Sequence, residues 1–212
     1  NFTVGSFLQG GTDGVFSQPQ TINVTTVSTT QEYSIGTQYK TGKNTYRYAS
    51  FPTGSAVTPG IVLQGPAIAD QERGKFLATT SPAGSTTVTV TTGGTVVTNA
   101  FAGGTMNAEE ILLIGNIDAM TYRIISNTGV TGVGDITVVL DPNTPLIDDH
   151  AIADYVTLIP NAYSNLIVAP SNSGLTGAVV GIASTFIPND AINIQYTWIQ
   201  TSGDTTVKGE NV

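Results

Sequence analysis

The sequence predicts an all-β protein: an antiparallel β-sandwich or barrel-like domain with an extended N-terminal arm and little helix. Three observations carry that prediction. Apolar runs are short and rich in Val, Ile and Thr, residue types that fit a pleated, half-buried surface. Turn formers separate the runs throughout, with 24 Gly and 10 Pro in 212 residues. In Thr45–Phe51 the aromatics alternate, so that Tyr46 and Tyr48 share one face and Arg47 points to the other, which is the period of a strand.

The first 35 residues are polar and rich in Thr, Gln and Gly, and they read as an extended arm or a first strand. Within them, residues 1–20 offer few apolar groups, and Gly10-Gly11 and Asp13-Gly14 interrupt them. Fixing a backbone costs about 1–2 kcal/mol per residue, so this stretch is expected to be ordered mainly by a neighbouring subunit. Phe2, Phe7, Leu8 and Phe16 are its expected anchors, each worth roughly 1.5–3 kcal/mol if fully buried. Thr21–Thr30 is β-branched and fits either a sheet strand or a continuation of the arm. Residues 36–212 read as a single β-rich domain, with any internal subdivision falling near 145–160.

Inside that domain, Tyr39–Gln64 reads as a hairpin-like stretch, two strands with a structured connection. Thr41-Gly42-Lys43-Asn44 is a turn signal, because Gly and Asn tolerate positive φ. Pro52 ends the Thr45–Phe51 strand, since it cannot donate a ladder hydrogen bond. Pro59-Gly60 suits a type II turn, and Ile61–Leu63 returns as a short strand. Ala67–Phe76 is expected to hold one short helical turn. Thr86–Val97 reads as strand, turn and strand about Gly93-Gly94. Glu109–Ile114 fits a helix start or a buried strand equally well. Thr121–Ser126 and Ile136–Leu140 are strands on either side of a glycine-rich loop, the second closed by Asp141-Pro142. Pro145–Leu158 is the best helix candidate. Leu166–Ala169, Gly177–Ser184 and Ala191–Thr201 are again short strands.

Charged residues make up only 10% of the chain and hydrophobic ones 40%. Such a surface suits contact with other protein or an extracellular setting. The formal net charge of −8 disfavours nucleic acid, whose phosphates need clustered Lys and Arg. There is no Cys, hence no disulfide framework and no thiolate metal site. No apolar run approaches the ~20 residues of a membrane span, and no basic stretch followed by an apolar one reads as a signal peptide. No membrane partner and no cofactor are expected.

Chemistry-bearing groups are sparse. His150, the only histidine, lies among Asp148, Asp149 and Asp154. The spacing matches neither a zinc site nor a calcium loop, so a solvated acidic loop is expected. No Gly-x-Ser-x-Gly elbow accompanies the histidine. Glu109-Glu110 is the only adjacent pair of glutamates, and neighbours on a strand face opposite ways. Gly129-x-x-Gly132-x-Gly134 lacks the order of a dinucleotide loop and precedes a strand. Trp198 fits core or interface, with a sugar-stacking platform as the functional alternative. Lys40, Lys43, Arg47, Arg73 and Lys75 cluster in sequence; only Arg123 and Lys208 carry positive charge beyond them. These five read as solvated loop charge or as a basic patch that docks on an acidic partner surface.

Three segments carry a resemblance. They are TGKNTYRYASFPTGSAVTPGIVLQGPA (41–67), MTYRIISNTGVTGVGDITVVLDPNTPL (120–146) and GAVVGIASTFIPNDAINIQYTWIQTSG (177–203). In this order they resemble tailed-phage capsid decoration (cement, or head auxiliary) proteins. The first 35 residues and the Thr-rich stretch 86–97 lie outside the resemblance. It implies a non-enzymatic virion structural protein on the outer surface of a phage capsid. It also implies a homotrimer that stabilises the head by bridging subunits of the major capsid protein. The competing readings are a virion tail-fibre or receptor-binding component and a secreted carbohydrate-binding β-module. An enzyme is the least supported.

Overall fold

The computed structural model describes residues 22–67, 73–109, 119–152, 154–170 and 174–208. Twelve strands and no helix occur among them. They divide into two six-stranded antiparallel sheets. The first contains β1 (Gln38–Thr41), β2 (Asn44–Phe51), β3 (Val62–Gln64), β10 (Ile167–Val168), β11 (Val179–Ala183) and β12 (Gln195–Ser202). Its order is β1-β2-β12-β11-β3-β10. The second contains β4 (Lys75–Phe76), β5 (Thr87–Thr92), β6 (Thr105–Glu109), β7 (Ala119–Asn127), β8 (Gly134–Leu140) and β9 (Tyr155–Ile159). Its order is β4-β9-β6-β7-β8-β5.

The second sheet curls into a nearly closed barrel. Leu77, just past β4, bridges Val90 of β5 at the far end of the order, and Ala78 N donates to Thr89 O at 2.9 Å. That contact removes most of the open edge. Strict alternation fills the interior: Val88 and Val90, Met106 and Ala108, Tyr122 and Ile124, Ile136 and Val138, Val156 and Leu158 all point in and are buried. The barrel is inserted between β3 and β10 of the first sheet. Its core and the aliphatic core of the first sheet are separate clusters.

The first sheet is buried on both faces around β2 and β12. Ala49, Phe51, Leu63, Ala183 and Ile199 form an aliphatic core with Val57, Leu166 and Ile187. Tyr46, Tyr48 and Trp198 form an aromatic core on the opposite side. Residues 22–35 wrap this end of the sheet as a strap. Ile22, Val24, Tyr33 and Ile35 pack on the aromatic core and Val27 on the aliphatic one. Ser28 bridges Tyr196 of β12 through both backbone hydrogen bonds. The strap therefore lies on its own chain's sheet, while Phe2, Phe7, Leu8 and Phe16 of the expected arm lie outside the described residues.

Several expectations need correction. The strand at 44–51 does not pair with the strand at 62–64. β2 pairs instead with β1, through the Thr41–Asn44 turn, and with β12. Two strands, β12 and β11, separate β2 from β3. Thr86–Val97 is no hairpin: after β5 the chain turns away and Val96 bridges Val130. Pro145–Leu158 is not helical. It is irregular up to residue 152 and then forms β9, whose alternate residues Val156 and Leu158 enter the barrel. In Ala67–Phe76, residues 73–74 form a bend and 75–76 are β4; the rest, apart from Ala67, lies outside the described residues. Gly60 adopts φ +86°, as a type II turn after Pro59 requires.

Candidate interaction surface

The aromatic core is built by cross-strand pairing. Trp198 lies directly opposite Tyr48, so both side chains leave the same face. Tyr33 and Tyr39 then close over Trp198, with ring centroids 5.2 and 5.9 Å away. Trp198 is left 2% exposed and offers no open ring to a sugar. The Tyr48 hydroxyl accepts a hydrogen bond from Glu32 N at 3.2 Å, which ties the strap to β2. Burial raises the Tyr48 pKa above its ordinary value near 10; that hydrogen bond opposes the rise, and the Glu32 charge adds to it.

Exposed apolar side chains occur at the edge strand of the first sheet and in the segments around β11. β10 is the edge strand, and both its residues, Ile167 and Val168, are exposed. Val179 of β11 and Leu175 before it add to the same region of the chain. Phe186, Ile192 and Ile194 are exposed in the β11–β12 connection. Asp190 shapes that connection by accepting from Ile192 N and Asn193 N, both at 2.9 Å, and from Asn193 Nδ2. These bonds hold its carboxyl below the usual carboxylate range. An edge strand with free backbone groups and apolar side chains is a template for another chain.

The cations suggested by the sequence fall into three settings. Lys40 and Lys43 stand exposed on the β1–β2 hairpin. Arg47 is half-buried: its Nη1 donates to Gly36 O at 2.7 Å and its guanidinium lies 5.6 Å from the Tyr163 ring centre. Arg73 and Lys75 belong to the start of the barrel, with Lys75 opposite Val156 in the β4–β9 register. The hairpin pair and the barrel pair thus sit on different sheets, and Arg47 serves the fold.

Arg73 also borders a groove of about 310 Å³ where the barrel joins the first sheet. Pro66, Ile159, Pro160, Ala162 and Leu175 are among its walls. Sequence reasoning missed this groove; the prolines at 66 and 160, which flank the insertion, were the available signal.

The acidic loop is not uniformly solvated. His150 and Asp154 are buried, because His150 pairs backbone to backbone with Ser81 and its ring packs edge-on toward Tyr122. His150 Nδ1 lies 3.4 Å from Asp154 Oδ2, near enough to pair as ions yet outside hydrogen-bond geometry. Asp148 and Asp149 are exposed, and Asp149 Oδ1 accepts from Ala83 N at 2.7 Å. Among the described residues, no group of three or more His, Asp or Glu side chains is gathered to hold a metal ion.

No protein-family model, curated protein or solved structure matches this chain.

Proposed function

We propose that this chain is a non-enzymatic structural protein of a tailed-phage virion. In this reading it decorates the outside of the capsid as a homotrimer and bridges subunits of the major capsid protein. The observation that carries the reading is the ordered resemblance of segments 41–67, 120–146 and 177–203. These segments supply β2 and β3, the β7–β8 pair, and β11 and β12. The first and third interlock, since β2 pairs with β12 and β3 with β11. The resembling residues are therefore the framework of both units rather than scattered loops. The exposed apolar edge strand, Ile167 and Val168, supports the reading, because a cement protein has to hold neighbouring chains.

Contacts of this kind combine apolar burial with modest charge. Exposed ion pairs contribute about 0–1 kcal/mol each, so Lys40 and Lys43 tune the encounter and apolar residues set the lifetime. A trimer gains further by effective concentration, as several sites engage together. The test is to add purified protein to capsids that lack it, at several salt concentrations, beside a Lys40→Glu, Lys43→Glu variant. Sedimentation should give a trimer, and association should slow moderately with salt and charge reversal without release of bound protein. A monomer that ignores capsids rejects the role. Binding indifferent to salt and charge reversal rejects the contribution of the hairpin cations.

Burial of Trp198 and Tyr48 counts against the carbohydrate-module reading in its simplest form, a flat stacking platform.

A further inference from the structure

Between the strap and the aromatic face lies a cleft of about 180 Å³. Tyr33, Tyr48, Tyr196 and Trp198 wall it, and Glu32 and Asn23 stand exposed at its rim. The rings face different directions. Tyr33 meets Tyr48 at 75° and Trp198 at 59°, with centroids 5.2 Å apart in each case, whereas Tyr196 lies parallel to Tyr48 at 6.2 Å. Glu32 is fixed beside this box by the hydrogen bond from its own N–H to the Tyr48 hydroxyl. Its carboxylate has no Lys, Arg or His side chain within ion-pair distance among the described residues. No Lys, Arg or His lines the cleft.

We propose that this cleft binds the cationic end of a lysine or arginine side chain presented by a partner protein. An aromatic face carries negative charge density and attracts a cation within about 6 Å of its centre. A carboxylate at the rim adds a full charge of the same sign. Its field already reaches the wall, since the Glu32 charge is among the causes that raise the Tyr48 pKa. The volume suits an ammonium or guanidinium group with its last methylenes. The cation would meet the partly exposed Tyr33 and Tyr196 rings, since Trp198 and Tyr48 are almost fully buried. The inference stands independently of the virion reading: it concerns the chemistry of one contact, whatever partner supplies it.

Trp198 is the only tryptophan in the chain and lines the cleft, so its fluorescence reports occupancy directly. The protein is titrated with Nα-acetyl-lysine amide and with tetramethylammonium chloride, against sodium chloride at matched ionic strength and methyl α-glucoside as the neutral comparator. Both cations should give a saturable change, with dissociation constants on the order of millimolar for a single weak contact. Glu32→Gln, at an exposed side chain, should weaken the lysine amide about threefold or more. Tyr196→Leu should do the same with an unchanged far-ultraviolet circular dichroism spectrum. The proposal is overturned if neither cation saturates, if the glucoside competes equally, or if Glu32→Gln binds like the parent. Saturation by tetramethylammonium alone would overturn the side-chain occupant in favour of a free quaternary ammonium ligand.

Discussion

Tyr33 meets Tyr48 edge to face, ring centroids 5.2 Å apart at 75°. One residue belongs to the strap and the other to the centre of the first sheet. The contact closes the aromatic core with a side chain that sequence separation alone would never join to Trp198. Tyr33→Ala should therefore shift Trp198 emission to longer wavelength and lower stability by about 1–3 kcal/mol. Unchanged emission would show that the strap does not seal the core.

Two separate cores predict two unfolding transitions. Leu158 is fully buried in the barrel and Phe51 in the first sheet. Leu158→Ala should cost about 2–5 kcal/mol and Phe51→Ala about 3–5 kcal/mol. In urea, Trp198 fluorescence should follow the Phe51 variant and ignore most of the Leu158 effect, which circular dichroism should detect. Coincident transitions for every probe and variant would mean that the cores unfold as one.

Gly60 combines φ +86° with a crowded site, where an added Cβ would meet Lys208 N and Thr206 O, each at 3.0 Å. Gly60→Ala should destabilise by more than ~1 kcal/mol, since both the backbone conformation and the space oppose it. Thermal melts beside Gly42→Ala would separate the causes, because Gly42 has φ +56° and nothing within 4 Å of its would-be Cβ.

The cations should divide by role. Lys40→Ala and Lys43→Ala should leave stability within about 0.5 kcal/mol of the parent. Arg47→Ala should cost about 1–3 kcal/mol, through loss of the bond to Gly36 O and of the Tyr163 contact. Chemical denaturation of the three variants checks this ordering.

Alkali should weaken the fold through Tyr48. Its folded pKa is raised, chiefly by burial. The neutral phenol is thus favoured in the native state, and its contribution is fully present below the ordinary value near 10. As pH rises through the folded pKa that contribution is lost. Asp190 works in the opposite sense: its folded pKa is lowered, so its contribution is present above the ordinary carboxylate value and lost as pH falls through the folded one. Urea midpoints measured from acid to alkali should show Tyr48→Phe flattening the alkaline limb and Asp190→Ala the acid limb.

What the sequence made legible was local. Alternation put Tyr46 and Tyr48 on one face, and both are buried there; the turns at Gly42 and Gly60 were readable from residue type. Partner choice was not readable, because strands of a sheet share one period whatever their neighbour. Nothing in Tyr46–Phe51 says that it pairs with Gln195–Ser202 rather than with Val62–Gln64. Val156 and Leu158 alternate within an apolar stretch that helical spacing also fits, which explains the helix expected at 145–158. The candidate surface was harder still. Glu32 is an ordinary acidic residue until the strap lays it beside Tyr48, and Arg47 looks like its exposed lysine neighbours until Gly36 O is placed 2.7 Å away.

The insertion of the barrel between β3 and β10 sets an order of events during synthesis. Residues 75–159 contain every strand of the barrel, so that unit has all its hydrogen-bonding partners once residue 159 has emerged. The first sheet does not: β2 waits for β12 along one edge, and β3 waits for β10 and β11. Pairing across so many residues is slow. A half-sheet with Tyr46, Tyr48 and Phe51 on a free edge is also open to wrong partners while it waits. The earliest part of the fold to be translated is therefore among the last to be completed, and a ribosome pausing after residue 159 would hold a finished barrel beside an unfinished sheet.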